Sequence, residues 1–265
     1  KERLATINNI ELKDIREHYR RTHTAKNMRF IIAGQIKHRK KEILRNLEDW
    51  DLKEGKRFEI PKDKLHSSPA ILVKRKDASN ITFGFSMVTP RRLSSQETQA
   101  MGALNHILNG TMSSRIFGQA RKRGLVYGMG SGINSSKHYS SWDFDGEVNL
   151  ETADELFSLI QIEMVKALNG EISDEEIEAV KTYAQGRYQM GAQTVSQISD
   201  YYTDDYFMTE KFEPYDDFPQ IIKEINKPSI VELAREFAGS GIHAFVTVGS
   251  VEKSVINQLA ESLNF

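Results

Sequence analysis

The clearest periodicity in the chain lies at Ile81, Phe83, Phe85 and Met87, which alternate with Thr82, Gly84, Ser86 and Val88. A period of two places one set on each side of a strand. Ala70 to Lys74 is a shorter strand just before it. Strands return between Leu125 and Leu150. There Trp142, Phe144, Val148 and Leu150 share one side, with Ser141, Asp143, Asp145, Glu147 and Asn149 on the other. That pattern predicts a sheet with one side on a core and one in water, as antiparallel sheets have. Ile242 to Val248 is a further strand. Met28 to Ala33 (Met-Arg-Phe-Ile-Ile-Ala) is a short apolar run stopped by Gly34 and predicts a buried strand.

Helical spacing fills the intervals. Leu12 to Arg21 and Lys40 to Trp50 are helical, the second with Ile43, Leu44 and Leu47 on one face. Three capping boxes, Ser94-Ser-Gln-Glu97, Thr152-Ala-Asp-Glu155 and Ser173-Asp-Glu-Glu176, open helices. The first helix stops at Asn109-Gly110, the second at Asn169-Gly170 and the third near Gly191. A shorter helix starts at about Met112, with Met112-Ser113-Ser114 as a plain N-cap. Val195 to Thr209, Pro214 to Ile225, Pro228 to Ala238 and Glu252 to Leu263 complete the set. Asp51 to Ser68 is polar, carries Pro61 and is followed by Pro69, which predicts a linker.

One internal similarity bears on domain organisation. Phe30-Ile-Ile-Ala-Gly34-Gln-Ile36 matches Phe245-Val-Thr-Val-Gly249-Ser-Val251 at a constant offset of 215, and Leu44 matches Leu259 at the same offset. A helix precedes and follows each copy. The expectation is one helix-strand-helix ending used twice, closing two copies of a domain. Residues 1–50 are then the end of a first, incomplete copy, 51–68 a linker and 69–265 a complete second copy. On this reading the natural chain is longer at its N-terminus.

Composition narrows the function classes. The chain has 265 residues, and Lys+Arg 36 against Asp+Glu 37 leaves a net charge of −1, without the basic surplus of a nucleic-acid binder. It contains no cysteine, hence no disulfide and no thiolate metal site. That fits a cytoplasmic protein. No apolar run approaches the roughly 18 residues of a membrane span, and Lys1-Glu-Arg-Leu-Ala-Thr is no signal peptide.

Candidate chemistry is concentrated between Asn109 and Gly128, where Arg115, Arg121, Arg123 and Tyr127 fall within a short span. A guanidinium offers a rigid fork of donors and a phenol one hydroxyl, a combination able to hold a carbonyl or an oxyanion. Other motifs carry less. Asp200 and Asp204 share a helix face but are the ordinary pattern of solvated carboxylates. Gly128, Gly130 and Gly132 lie within a strand instead of ahead of a helix, so they fail the context of a phosphate loop. The seven histidines are His18, His23, His38, His66, His106, His138 and His243, and no two lie four apart. No helical turn can therefore present a zinc-binding histidine pair. Each histidine is expected to pack at the surface or in the core.

The segment Leu104-Asn-His-Ile-Leu-Asn-Gly-Thr-Met-Ser-Ser-Arg-Ile-Phe117, continued by Arg121-Lys-Arg-Gly-Leu-Val-Tyr127, resembles the second half of pitrilysin/insulinase-type zinc metallopeptidases, relatives of the mitochondrial processing peptidase subunits. Tyr19-Arg-Arg-Thr-His-Thr-Ala-Lys-Asn-Met-Arg-Phe-Ile-Ile-Ala-Gly34 is similar to the end of that family's first domain. The resemblance spans essentially the whole chain. It implies an α+β fold, a sheet covered by helices in a duplicated domain, the copies facing each other across a chamber. It also implies zinc on an inverted His-x-x-Glu-His helix in the N-terminal half. That motif is absent here, so no metal is expected in this chain and zinc only in the full-length protein. The resemblance further assigns Arg121 and Tyr127 to binding the substrate carbonyl and developing oxyanion, with Arg115 and Arg123 as further substrate contacts. The family separates the arginine and tyrosine by six residues, whereas five intervene here.

The implied function is the zinc-free half of a metalloendopeptidase, inactive alone. Its partners would be a peptide or unfolded polypeptide and an N-terminal zinc-bearing half, with homo- or heterodimers as the assembly, and neither nucleic acid nor membrane. The alternative within the family is a non-catalytic peptide-binding or scaffold subunit. An unrelated α+β binding module is the remaining rival.

Overall fold

A computed structural model describes residues 2–265. In chain order run α1 (Glu2–Asn8), α2 (Leu12–Thr22), α3 (Lys40–Glu48), β1 (Ile71–Lys74), β2 (Asn80–Thr89), α4 (Ser95–Asn109), α5 (Phe117–Lys122), β3 (Val126–Ser135), β4 (Ser140–Asn149), α6 (Ala153–Leu168), α7 (Asp174–Gly191), α8 (Val195–Thr209), α9 (Phe218–Glu224), α10 (Lys227–Gly239), β5 (His243–Gly249) and α11 (Lys253–Glu261). They divide into two units, one of residues 1–61 with 192–212 and one of 62–191 with 213–265.

The smaller unit holds α1 to α3, α8 and extended chain. The stretch after α3 is not slack. The amides of Ala25 and Lys26 donate to the carbonyls of Lys53 and Glu54 at 2.9 and 3.0 Å. The Phe58 amide donates to Asn27 Oδ1 at 3.0 Å, and Arg57 pairs with Glu210 on the α8 side. The buried strand expected over Met28 to Ala33 does not form. The segment is irregular, and Phe30 and Ile32 are exposed. Its composition suits a strand, but a strand exists only when a neighbour takes its N–H and C=O groups, and no described strand lies beside it. The repeated helix-strand-helix ending is thus seen as helix, irregular segment and helix in this copy.

The larger unit is a sheet with helices packed on one side, ordered β1-β5-β2-β4-β3. β2, β4, β3 and β5 pair antiparallel, while β1 runs parallel to β5, so the expected antiparallel sheet is mixed at one edge. The alternation of β2 is realised in full: Ile81, Phe83, Phe85 and Met87 are all buried. They meet Trp142 and Phe144 of β4, Leu104 and Leu108 of α4, Phe157 of α6 and Phe237 of α10 in one core. The buried Trp142 indole donates to Asn105 Oδ1 at 2.9 Å, which removes the cost of an unpaired N–H. The opposite side of the sheet carries Thr82, Asp145 and Glu147, all exposed.

Capping explains most helix starts. Ser94 and Glu97 exchange hydrogen bonds at the head of α4, and Ser173 and Glu176 at the head of α7. The third expected box, at Thr152, does not close. A 3-10 turn over Leu150–Thr152 precedes α6, and Thr152 Oγ1 bonds back to the Asn149 carbonyl. The same turn lifts Leu150 out of the core row into solvent. α5 begins at Phe117, five positions after the expected Met112, because residues 111–116 form turns. There Ser114 is buried, donates to the Thr111 carbonyl and accepts from the Gly118 amide, instead of capping at Met112.

Candidate functional site

Arg121 sits in the last turn of α5 and Tyr127 near the start of β3. Their separation is set by how α5 ends. The Gly124 amide bonds to the Arg121 carbonyl at 3.1 Å and the Leu125 amide to the Ala120 carbonyl at 2.9 Å. That double closure needs a left-handed residue, which Gly124 supplies at φ +71°. Leu125 and Val126 then turn into the core, and Tyr127 turns out.

The result is a juxtaposition. The Arg121 guanidinium carbon lies 4.6 Å from the centre of the Tyr127 ring, in cation–π contact. Arg121 Nη1 also donates to the Val126 carbonyl at 3.3 Å. Tyr127 is 88% exposed, and its hydroxyl makes no hydrogen bond to any described residue. Both side chains line an open groove of about 730 Å³. Its other walls include Asn80 and Thr82 of β2 and Asp145 and Glu147 of β4. Among the described residues no carboxylate pairs with Arg121. A fork of N–H donors and a free phenol facing one groove can hold a carbonyl and the negative charge that develops on its oxygen.

Arg115 and Arg123 lie outside this groove, in a different depression beside Glu163, Lys166 and Glu171. Arg115 is spent on the protein itself. Its Nε and Nη2 donate to the two Glu176 oxygens at 2.6 and 2.5 Å, and Nη2 donates to the Glu171 carbonyl at 2.8 Å. Glu176 raises the Arg115 pKa further above its ordinary value. Burial pushes the Glu176 carboxyl up, but the hydrogen bonds from Arg115 and from Ser173 outweigh it and leave Glu176 below the usual carboxylate range. Arg123 faces Glu155 across 3.6 Å at the surface. Of the four candidates, then, the fold brings Arg121 and Tyr127 together and keeps Arg115 and Arg123 apart from them.

Gly124 and the acidic wall were not singled out by sequence reasoning. Gly124 was readable as a helix stop after three basic residues. Asp145 and Glu147 stood on the polar side of β4, but which groove that side faces depends on pairing. Two of the histidines stack on tyrosines: His106 on Tyr183 and His23 on Tyr19, each with ring centres 4.0 Å apart. Among the described residues, no group of three or more histidine, aspartate or glutamate side chains converges as a metal site. Among the described residues no helix is long and apolar enough to cross a membrane.

Comparison with known proteins gives three kinds of match. The family model of the peptidase M16 inactive domain matches residues 9–183. An uncharacterized zinc protease of Rickettsia bellii (strain RML369-C) is 26% identical over 245 residues, covering 89% of this chain and 56% of that protein. A protease from Helicobacter pylori superposes with a TM-score of 0.76 at 18% identity, over 92% of this chain and 60% of that one. A chain of complex III2 from Candida albicans superposes at 0.77 and 14% identity, over 98% and 64%. The chain thus spans a little over half the length of the curated relative it matches.

Proposed function

Because this chain belongs to the family of the peptidase M16 inactive domain, we propose that it is the zinc-free half of a pitrilysin/insulinase-type zinc metallopeptidase. It binds an extended peptide in its groove and offers Arg121 and Tyr127 to an active site whose metal is held by an N-terminal half. The observation that carries this reading is the shared groove: a guanidinium and an unpartnered, exposed phenol 4.6 Å apart. The glycine turn at Gly124 brings the pair into contact across the five-residue interval. A well-placed oxyanion donor is worth about 3–4 kcal/mol, roughly 10²–10³ in kcat. In the full-length, zinc-loaded protein, Tyr127→Phe and Arg121→Ala should each lower kcat on a fluorogenic peptide by about 10²-fold with KM little changed. Unchanged kcat in both variants would remove the proposed role. A full-length protein that binds peptides without cleaving them would favour the scaffold alternative, to which the shortened spacing also lends support.

The smaller unit fits the same reading. Phe245 and Leu259 are buried at 5% and 1% exposure, whereas their counterparts at the offset of 215, Phe30 and Leu44, stand at 55% and 47%. Residues carrying the pattern of an interior closing unit yet lying exposed are suited to a second sheet of the same kind, belonging to the zinc-bearing half. Amide exchange in the full-length protein tests this: residues 29–33 should be protected to the level of 245–248. Rapid exchange there would contradict it.

A further inference from the structure

β3 and β4 do not march in step. Val126 stands opposite Val148, and Met129 opposite Gly146, so three steps along β3 meet two along β4. One extra residue is inserted at Tyr127–Gly128, a β-bulge. Its effect on sidedness is plain. Val126 is buried and Met129 packs against the core, although residues three apart in a regular strand face opposite ways. Tyr127 and Gly128 are left as two consecutive exposed residues. A bulge increases local twist and re-aims the side chains it carries.

We infer that this bulge is the positioning device that holds Tyr127 over Arg121, and that its extra residue, not the identity of Gly128, is what matters. This rests on the peptidase reading for its activity readout and on geometry alone for its structural one. Gly128 has no left-handed φ, and a Cβ built on it meets nothing within 4 Å. A side chain there is therefore tolerated. The strand gains nothing in packing from the insertion: without Gly128, Val126, Tyr127 and Met129 would read in, out, in, opposite Val148, Glu147 and Gly146. Every core-facing residue would keep its side. What would change is Tyr127, drawn into the regular pleat beside Glu147 and away from the guanidinium that now covers its ring.

The test uses the full-length, zinc-loaded protein with three changes: Gly128→Ala, deletion of Gly128, and the exchange Tyr127→Gly with Gly128→Tyr, which keeps the bulge and the strand register but moves the phenol by one position. The third serves if the deletion fails to fold. Two quantities are read, the ring-current shift of the Arg121 Nε–H resonance and the steady-state constants. Gly128→Ala should keep both within about twofold. The deletion and the exchange should each abolish the ring-current shift and lower kcat to the level of Tyr127→Phe, with KM and melting temperature preserved. A ring-current shift retained in the deletion or in the exchange overturns the inference, whatever the activity. If Tyr127→Phe itself leaves kcat unchanged, the peptidase role of the pair fails, and the ring-current result still decides the role of the bulge.

Discussion

Arg115→Met is the sharpest way to separate a brace from a substrate contact. The guanidinium makes two hydrogen bonds to Glu176 and one to the Glu171 carbonyl, with side chains 20% and 29% exposed for Arg115 and Glu176. Removing one member of a fully buried ion pair costs about 3–5 kcal/mol, because the other charge is stranded. Here partial exposure and the Ser173 amide, which still donates to Glu176 at 2.9 Å, reduce the loss to about 2 kcal/mol. For a unit of about 180 residues that corresponds to a fall in Tm of roughly 4–8 °C. The assay is thermal unfolding of the full-length protein at neutral pH, paired with peptide binding by fluorescence anisotropy below the transition. The double change Arg115→Met with Glu176→Leu should recover part of the loss, since it strands no charge. The brace is refuted if Arg115→Met melts within about a degree of the parent while peptide affinity falls; Arg115 would then belong to the substrate.

Two further predictions concern acid and glycine. Arg91 hydrogen-bonds both Glu97 and Glu236 and holds both carboxyls below the ordinary carboxylate value. Groups depressed in the folded state contribute stability that is complete above the unfolded value of about 4.3 and is lost as pH falls through the folded values. Tm should therefore drop below about pH 4, and Arg91→Met should flatten that limb in a pH series of melts; an unchanged limb would exclude the network as its cause. Gly146→Ala and Gly130→Ala sit on neighbouring strands but should differ. A Cβ at Gly146 would come within 3.0 Å of the Phe83 ring, itself wedged against Phe157, and should cost about 1–3 kcal/mol. At Gly130 its nearest neighbour would be the movable, exposed Asp145 carboxylate, so the change should stay within about 0.5 kcal/mol by denaturant unfolding.

Local rules carried the sequence reading as far as local physics reaches. A period of two in β2 and the boxes at Ser94 and Ser173 are decided by residues within a few positions, and they form as the pattern says. Where the outcome rests on a distant partner, the same rules misdirect. Met28 to Ala33 has a strand's residues but no adjacent strand. Arg115 has the look of a free cation until Glu176, 61 positions on, takes its fork. Thr152 had the letters of a cap, yet a 3-10 turn absorbed it. The bulge is the extreme case, because an extra residue in β3 exists only relative to β4, and no inspection of β3 alone can count it. Tyr127 lies at that bulge, just past the left-handed turn at Gly124. The Gly124 turn closes the end of α5, but an aromatic side chain left 88% exposed contributes little to the core, so the bulge beneath it adds little packing to the larger unit. If that phenol meets a substrate as proposed, the bulge is kept for that contact, and deleting Gly128 measures how much.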